Sequence, residues 1–300
     1  MNNFDLKNLN VVFAGCARDC EPFLKKTLDN IELYSSLFRN SYTVIVENGS
    51  LDKTKEILNT NKTMKDKFLF CDHFNQLPTR GQRLENSRNH IIETIKQDKN
   101  LKSCDLFIML DLDDMGTFKI DDQDLSKAVN FLFSKDDIAA VFANQLGTYY
   151  DMWTLRDRKY CKDDFWVEIF KFLMKNKNSH DQLSKKDFEN VKKCLIDKKI
   201  YSFNRLDPPI PVYSAFGGFG IYKMKNVIKN KHKYQGLQTI EINTKDKKKF
   251  NIQYQKCEHV NFNEGLIKQN FQLFILPFLI NYKFQNLDFN PETALKLFVK

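Results

Sequence analysis

Between residues 11 and 145, short apolar runs alternate with stretches of helical spacing, and few folds accept that order. The run "VVFAG" (Val11 to Gly15) ends in glycine, and "EPFLKKTLDNIELYSSLF" then repeats apolar residues at Phe23, Leu24, Leu28, Ile31 and Leu33. "YTVIVENGS" is a β-branched strand closing in a turn, and Asp52 stands as the N-cap of the helix "LDKTKEIL" that follows. "RGQRLENSRNHIIETI" carries one stripe of Leu84, Ile91, Ile92 and Ile95. "CDLFIMLDLDD" reads as a fourth strand whose continuous apolar run fits burial on both faces, and "IAAVFANQ" as a fifth. Strands separated by helices require crossover connections, so the pattern predicts a Rossmann-like α/β layer: a mostly parallel central sheet with flanking helices.

The second half is less regular. "DDFWVEIFKFLMK" and "KDFENVKKCLI" have helical spacing, "PVYSAFGGFGIYKM" reads as a strand with a Gly-rich turn, and "FNIQYQKCEHVNF" as a strand pair or hairpin arm. Without an internal repeat, low-complexity tract or clear linker, residues 1–300 are expected to form a single composite domain.

Composition narrows the function classes. With 42% hydrophobic residues the chain can build a core. Its net charge of +9 comes from lysines spread throughout, and the densest runs, "KNKHK" and "KDKKKF", lie between periodic segments as solvated loops. No aromatic-interleaved basic stripe accompanies them, which argues against a nucleic-acid partner but leaves anionic substrates open. Seven cysteines are scattered, and "CARDC" is too loosely spaced for a redox or zinc signature, so reduced thiols are expected. The amino terminus lacks a signal-peptide pattern. The apolar stretch "LFILPFLI" carries Pro277 and falls short of the roughly 20 residues a membrane span needs. Core packing is its expected role, with peripheral membrane contact left open, and the chain is expected to be soluble and cytoplasmic, with no transmembrane segment.

"LFIMLDLDDMGTF" runs a buried strand into Asp111, Asp113 and Asp114. At a strand's carboxyl end these acids lie where open α/β sheets keep their ligand crevice. Extended geometry would turn Asp111 and Asp113 to one side and Asp114 to the other. Three carboxylates this close repel unless a cation neutralises them, and oxygen ligands suit Mg²⁺ or Mn²⁺. An acidic turn with no ligand is the plain alternative. Haloacid-dehalogenase-like phosphatases also open with an apolar run and Asp-x-Asp, but they want Thr or Val where this chain has Met115. They also want the motif near the chain start and a later acidic pair ending a strand, whereas Asp136 and Asp137 precede theirs.

Several blocks occur in a fixed order: "ARDCEPFLKKTLDNIE", "ENGSLDKTKEIL", "RGQRLENSRN", the Asp cluster, "YYDMWTLRD", "SAFGGFGIYK" and "CEHVNFN". Together, over about Val11 to Asn263, they resemble GT-A glycosyltransferases of the fungal capsule α-1,3-mannosyltransferase family and related glycosyltransferases of large DNA viruses. The resemblance implies a GT-A fold with a nucleotide-sugar-binding half at about 10–145 and an acceptor- and metal-completing half at about 146–300. It implies a UDP- or GDP-linked donor, a glycan or glycoconjugate acceptor, Mn²⁺ or Mg²⁺ as cofactor and, for a viral protein, host cytoplasm or virion as the location.

The same resemblance assigns residues. Ala14 and Arg18 would flank the donor, as would Glu47 and Asn48, where broader relatives carry Asp-Asp-Gly-Ser; a simple turn with an N-cap stays open there. Arg88 lies beside the apolar stripe of its helix and needs an anion, either Asp111 or Asp113 or the donor diphosphate, over which the family places Arg80, Arg83 and Arg88. Asp113 is expected on the metal, with Asp111 on metal or ribose beside Leu112, and Asp114 in support. His259 would complete the metal shell, with Glu258 its competitor because strand alternation lets only one face the crevice. Asp151, Trp153 and Arg156 are expected near the substrates, and Gly217 and Gly218 in a ligand-approaching or φ > 0 turn. An inverting enzyme would need a base, for which Asp151 and Glu258 are the candidates; the resemblance leans toward retention. A phosphatase and a non-catalytic sugar-nucleotide- or glycan-binding protein are the remaining alternatives.

Overall fold

The structure is a computed structural model that describes residues 4–159, 161–182, 184–191, 193–194 and 202–283. The first half runs β1 (Asn10–Ala17), α1 (Glu21–Ser35), β2 (Asn40–Glu47), α2 (Thr54–Thr60) and β3 (Asp66–Phe70). It continues through α3 (Arg80–Gln97), α4 (Lys99–Lys102), β4 (Leu106–Leu110), α5 (Asp122–Phe133) and β5 (Ile138–Leu146). The second half adds α6 (Phe165–Lys175), α7 (Lys185–Val191), β6 (Ile210–Val212), β7 (Phe219–Lys223) and α8 (Met224–Lys229). After these come β8 (Leu237–Asn243), β9 (Lys249–Gln255), α9 (Glu258–Ile267) and β10 (Gln272–Lys283).

Eight strands form one mixed sheet in the order β3-β2-β1-β4-β7-β5-β10-β6, while β8 and β9 pair separately. β3, β2, β1 and β4 are all parallel, so the first half forms the expected α/β layer. β5 and β10 are parallel to each other, and antiparallel β7, from the second half, is inserted between β4 and β5. Side chains alternate across β1: Val12 and Ala14 enter one apolar layer, Val11 and Phe13 the other, and the layers are completed by helices on the two faces. Each buried Val or Phe side chain contributes about 1.5–3 kcal/mol.

Two expectations change in detail and a third holds. Asp52 does more than start α2: its Oδ1 accepts from Thr54 N–H at 2.9 Å while Oδ2 accepts from Glu21 N–H, also at 2.9 Å, tying the starts of α1 and α2 together. "FNIQYQKCEHVNF" is a strand only to Gln255, after which α9 begins at Glu258, so the alternation argument for Glu258 and His259 does not hold. "LFILPFLI" lies inside β10 and packs in the core. Among the described residues no helix is long and apolar enough to cross a membrane.

Candidate functional site

Because β1, β2 and β4 are parallel, their carboxyl ends share one edge of the sheet, and Arg18, Asn48 and Asp111 follow those ends. The first turns of α3 lie across this edge. Thr79 caps the helix by accepting from Gln82 N–H, and Gly81 N–H donates to Gln255 Oε1 at 3.1 Å, which locks α3 to β9. Bare Gly81 and Gly236 allow this: a Cβ on either would lie within 2.6 Å of the other's carbonyl oxygen. The result is a cavity of about 270 Å³ lined by Arg18, Arg80, Arg83 and Arg88 on one side and by Asp111, Leu112 and Asp113 on the other. Asn48, Cys16 and Asp19 contribute further lining.

Arg88 is 4% exposed. Its Nε donates to Glu258 Oε1 at 2.8 Å and its Nη2 lies 3.5 Å from Asp111 Oδ1, while the guanidinium sits over the rings of Phe216 and Tyr234. Nη1 is buried without a hydrogen-bond acceptor, as is Arg18 Nη1. A sealed cationic donor without a partner is costly, so both atoms mark places where an anion is wanted. Arg83 donates to Leu77 O, and burial followed by repulsion from Arg18 and Arg80 holds its pKa below the usual arginine range.

Of the three acids, only Asp111 is drawn inward. Its side chain is 25% exposed, its backbone N–H donates to Gly218 O at 3.0 Å, and Tyr150 Oη donates to its Oδ2 at 3.3 Å. Burial and then the charge of Asp113 push its pKa up to about 7, against the opposing pull of Arg88. The chain leaves β geometry at Leu110 and makes a 3-10 turn at Asp114–Gly116, so strict alternation ends and both Asp113 and Asp114 are exposed. Asp113 accepts from Met115 N–H, and Tyr282 donates to Asp114.

Other expected residues hold this wall without lining the cavity. Gly217 and Gly218 adopt φ of +63° and +78°, the turn predicted for them. Asp151 is consumed in holding it: Oδ2 accepts from Gly217 N–H at 2.9 Å and Oδ1 from the Thr154 hydroxyl at 2.7 Å. Glu258 is buried against Arg88. Both oxygens of Asp151 are thus taken, whereas Glu258 commits Oε1 to Arg88. His259 is buried, stacked on Phe216 with ring centroids 3.9 Å apart, and neither of its nitrogens has a hydrogen bond. Burial and then Arg88 depress its pKa well below the usual histidine range, so it is neutral. Among the described residues no three His, Cys, Asp or Glu side chains gather to cage a metal, and the acid beside His259 is Glu258, its Oε1 3.7 Å from His259 Nε2.

The structure takes four more expected residues away from the cavity. Ala14 lies in the sheet core, because a mid-strand residue of a central strand has no free edge. Glu47 is fully buried and accepts from Ser50 N–H at 2.5 Å, which is the turn reading of "ENGS". Arg156 is tied to Asp164 and to two backbone carbonyls. Trp153 is half-buried with its indole N–H sealed and unpartnered. Tyr150 and Tyr282, which reach the acids from distant segments, were not singled out; Tyr150 sits in the "YYDMWTLRD" block, whereas nothing around Tyr282 marks it.

No family model matches the chain, and no curated protein matches it. Solved structures do. A mannosyltransferase from Pyrobaculum calidifontis, in complex with GDP-Man and Mn²⁺, is 11% identical over 92% of this chain, with a TM-score of 0.47. The chain spans 56% of that protein's length. A glucosyl-3-phosphoglycerate synthase from Mycobacterium tuberculosis, in complex with UDP, is 9% identical over 95% of this chain and 74% of its own, with a TM-score of 0.44. Residues 1–349 of TarS from S. aureus are 10% identical over 96% of this chain and 69% of their own, with a TM-score of 0.48. Nothing among these singles out the capsule or large-virus group, and at such identities no residue role transfers from them.

Proposed function

We propose that the chain is a GT-A glycosyltransferase, moving a sugar from a nucleoside-diphosphate donor to a hydroxyl of a glycan or glycoconjugate. The observation that carries this is the cavity itself: four arginines from two segments, Arg18 after β1 and Arg80, Arg83 and Arg88 on α3, face Asp111 and Asp113 at the carboxyl edge of the sheet, and two guanidinium nitrogens there are sealed and unpartnered. Guanidinium forks suit phosphate oxygens, and four of them suit two phosphates better than the single group a phosphatase handles.

The donor set fits a divalent ion. Burial and then the charge of Asp113 raise the pKa of Asp111, and Asp113 is exposed on the cavity rim. The absence of a third protein ligand among the described residues suits Mg²⁺ or Mn²⁺, which bind through one or two carboxylates together with substrate phosphates. Asp113 and Asp111 would hold the ion, with Asp114 in support; bound there, it would offset negative charge on the departing diphosphate.

This chain's own groups supply the positioning. Glu258 orients Arg88 toward the diphosphate, the Phe216–His259 stack supports that guanidinium from beneath, and Asp151 fixes the Gly217–Gly218 turn that holds Asp111. Fixed donors of this kind act where charge develops, without reorganising.

Thermal shift against UDP, GDP, CMP and their sugars, with and without Mn²⁺, tests the reading. A nucleotide at about a hundred times its dissociation constant should add about 2.7 kcal/mol, and Asp113→Ala should remove the metal-dependent part. If no nucleotide stabilises the chain and Asp113→Ala behaves as wild type, the proposal fails.

A further inference from the structure

A second cavity, of about 450 Å³, lies on the other side of α9. That helix begins at Glu258, which holds Arg88 in the arginine cavity; Val260, Glu264 and Lys268, spaced four apart along one face, line the second. The remaining walls come from the start of α6 and from the β8–β9 pair, through Lys162, Lys171, Tyr254 and Lys256 among others.

Lys256 is the unusual residue. It is only 8% exposed, and among the described residues its ammonium has neither a hydrogen-bond acceptor nor an ion pair within 4 Å, so that burial lowers its pKa against the more distant pull of Glu264, while its backbone N–H donates to Gly236 O. A lysine is almost never buried without a partner, because desolvating the charge is expensive. Around it Lys162, Lys171 and Lys268 are exposed at the rim, and none of the three forms an ion pair among the described residues. Arg156 is already neutralised by Asp164, which leaves four unpaired lysines against Asp163 and Glu264. The cavity is thus lined by one buried lysine and three exposed ones, with Tyr213 and Tyr254 also in its wall.

We propose that this cavity binds an oxyanion, a phosphate or carboxylate, carried on a saccharide, with Lys256 as its buried counter-charge. The proposal rests on the glycosyltransferase reading only in taking that saccharide to be the acceptor. Lys256 would neutralise the anion at the floor while the rim lysines draw it in, and binding would remove the desolvation cost Lys256 carries alone. α9 would then carry donor contacts on one face and acceptor contacts on the other.

Titration calorimetry on the full chain with glucose 6-phosphate, glucuronate, inorganic phosphate and glucose tests this. Wild type should bind glucose 6-phosphate or glucuronate, and glucose not at all. Lys256→Met should weaken the anionic sugar by about tenfold or more, the loss of one charge-assisted contact, while Lys256→Arg stays close to wild type. Lys268→Ala, at the exposed rim, should weaken it less and leaves the core untouched, so the test survives if Lys256→Met folds poorly. Absence of anion binding by wild type, or unchanged binding by both Lys256→Met and Lys268→Ala, overturns the site. Inorganic phosphate binding as tightly as the sugar phosphate overturns the saccharide part. Nucleotide stabilisation should be the same in wild type and Lys256→Met; if nucleotides fail on wild type while glucose 6-phosphate binds through Lys256, the donor reading falls and the anion site stands.

Discussion

Arg88 and Arg156 are both buried, both paired with a buried or half-buried carboxylate, and both join segments distant in sequence or space, yet their surroundings differ in one respect. Arg156 spends its guanidinium internally: Nη2 donates to Asp164 Oδ2 at 2.5 Å, and Nη1 to the carbonyls of Trp153 and Leu155. Asp164 in turn caps α6, so Arg156 is a bracket that sets the entry of that helix. Arg88 keeps Nη1 without an acceptor, and it lines the cavity in which Arg18 does the same. Burial and a carboxylate partner are therefore common to both arginines; what sets Arg88 apart, and makes it the proposed donor contact, is the unspent guanidinium donor.

Exchanging each arginine for methionine gives the largest expected effect and tests that distinction directly. Both substitutions strand a buried carboxylate, Glu258 or Asp164, and each should cost about 3–5 kcal/mol in urea unfolding. Only Arg88→Met should abolish nucleotide stabilisation. Adding Glu258→Gln to it should recover part of the stability and none of the nucleotide response. Equal loss of nucleotide binding in Arg156→Met, measured where both variants are folded, would remove the contrast between the two residues.

A smaller effect is expected one layer behind Arg88. Gly218 has φ of +78°, and a Cβ there would meet Asn281 Nδ2 at 3.2 Å, Met115 Cβ at 3.3 Å and Asp111 Oδ2 at 3.4 Å. Gly218→Ala therefore combines backbone strain of about 1–3 kcal/mol with displacement of the Asp111 side chain. Chemical denaturation should show that loss, together with weakened Mn²⁺-dependent nucleotide binding. Gly147→Ala, at φ of +91° in the loop after β5, should lose comparable stability and keep nucleotide binding intact. Identical binding losses in the two variants would show that the Gly218 turn does not position Asp111.

The same contrast explains what could be read in the residues alone. The parallel half was legible because each of its strands is followed by a helix with its own apolar stripe, and local pattern decides such units. Pattern alone gave the acids at a strand end and Arg88 beside its helix stripe, and the resemblance added Arg18, Asn48, Arg80, Arg83 and Leu112; all of them follow strand ends or lie on the helix crossing them. In the second half, local pattern found α6, α7 and the Gly-rich turn but misled after β9. Glu258 and His259 follow a strand by only two residues and open a helix instead, which hid the pairing of Glu258 with Arg88 across 170 positions. Arg156 and Trp153 stood in the right block, but their contacts depend on α6 and a backbone bridge to Ser214, which no spacing reveals. Lys256 gave no signal, because an isolated lysine in a lysine-rich chain looks solvated until its burial is known.

The smallest expected effect separates the partners of the two arginines by pH. Asp111 holds its proton in the fold up to about pH 7, whereas the unfolded chain releases it near about 3.9. The folded state then binds more protons between those values, so this group's contribution to stability falls as pH rises from about 4 to 7 in the metal-free protein. A divalent ion needs the ionised carboxylate, so its affinity must move in the opposite direction: between pH 8 and pH 6 it should weaken by about tenfold, one proton's competition with the metal. Asp164 lies at the other arginine and well inside the fold, so Asp164→Asn should leave that pH dependence in place, while Asp111→Asn should flatten it. Mn²⁺ titrations followed by electron paramagnetic resonance at the two pH values give the measurement. An affinity that stays constant from pH 8 to pH 6 in wild type would show that Asp111 does not take part in holding the ion, leaving Asp113 to do so alone.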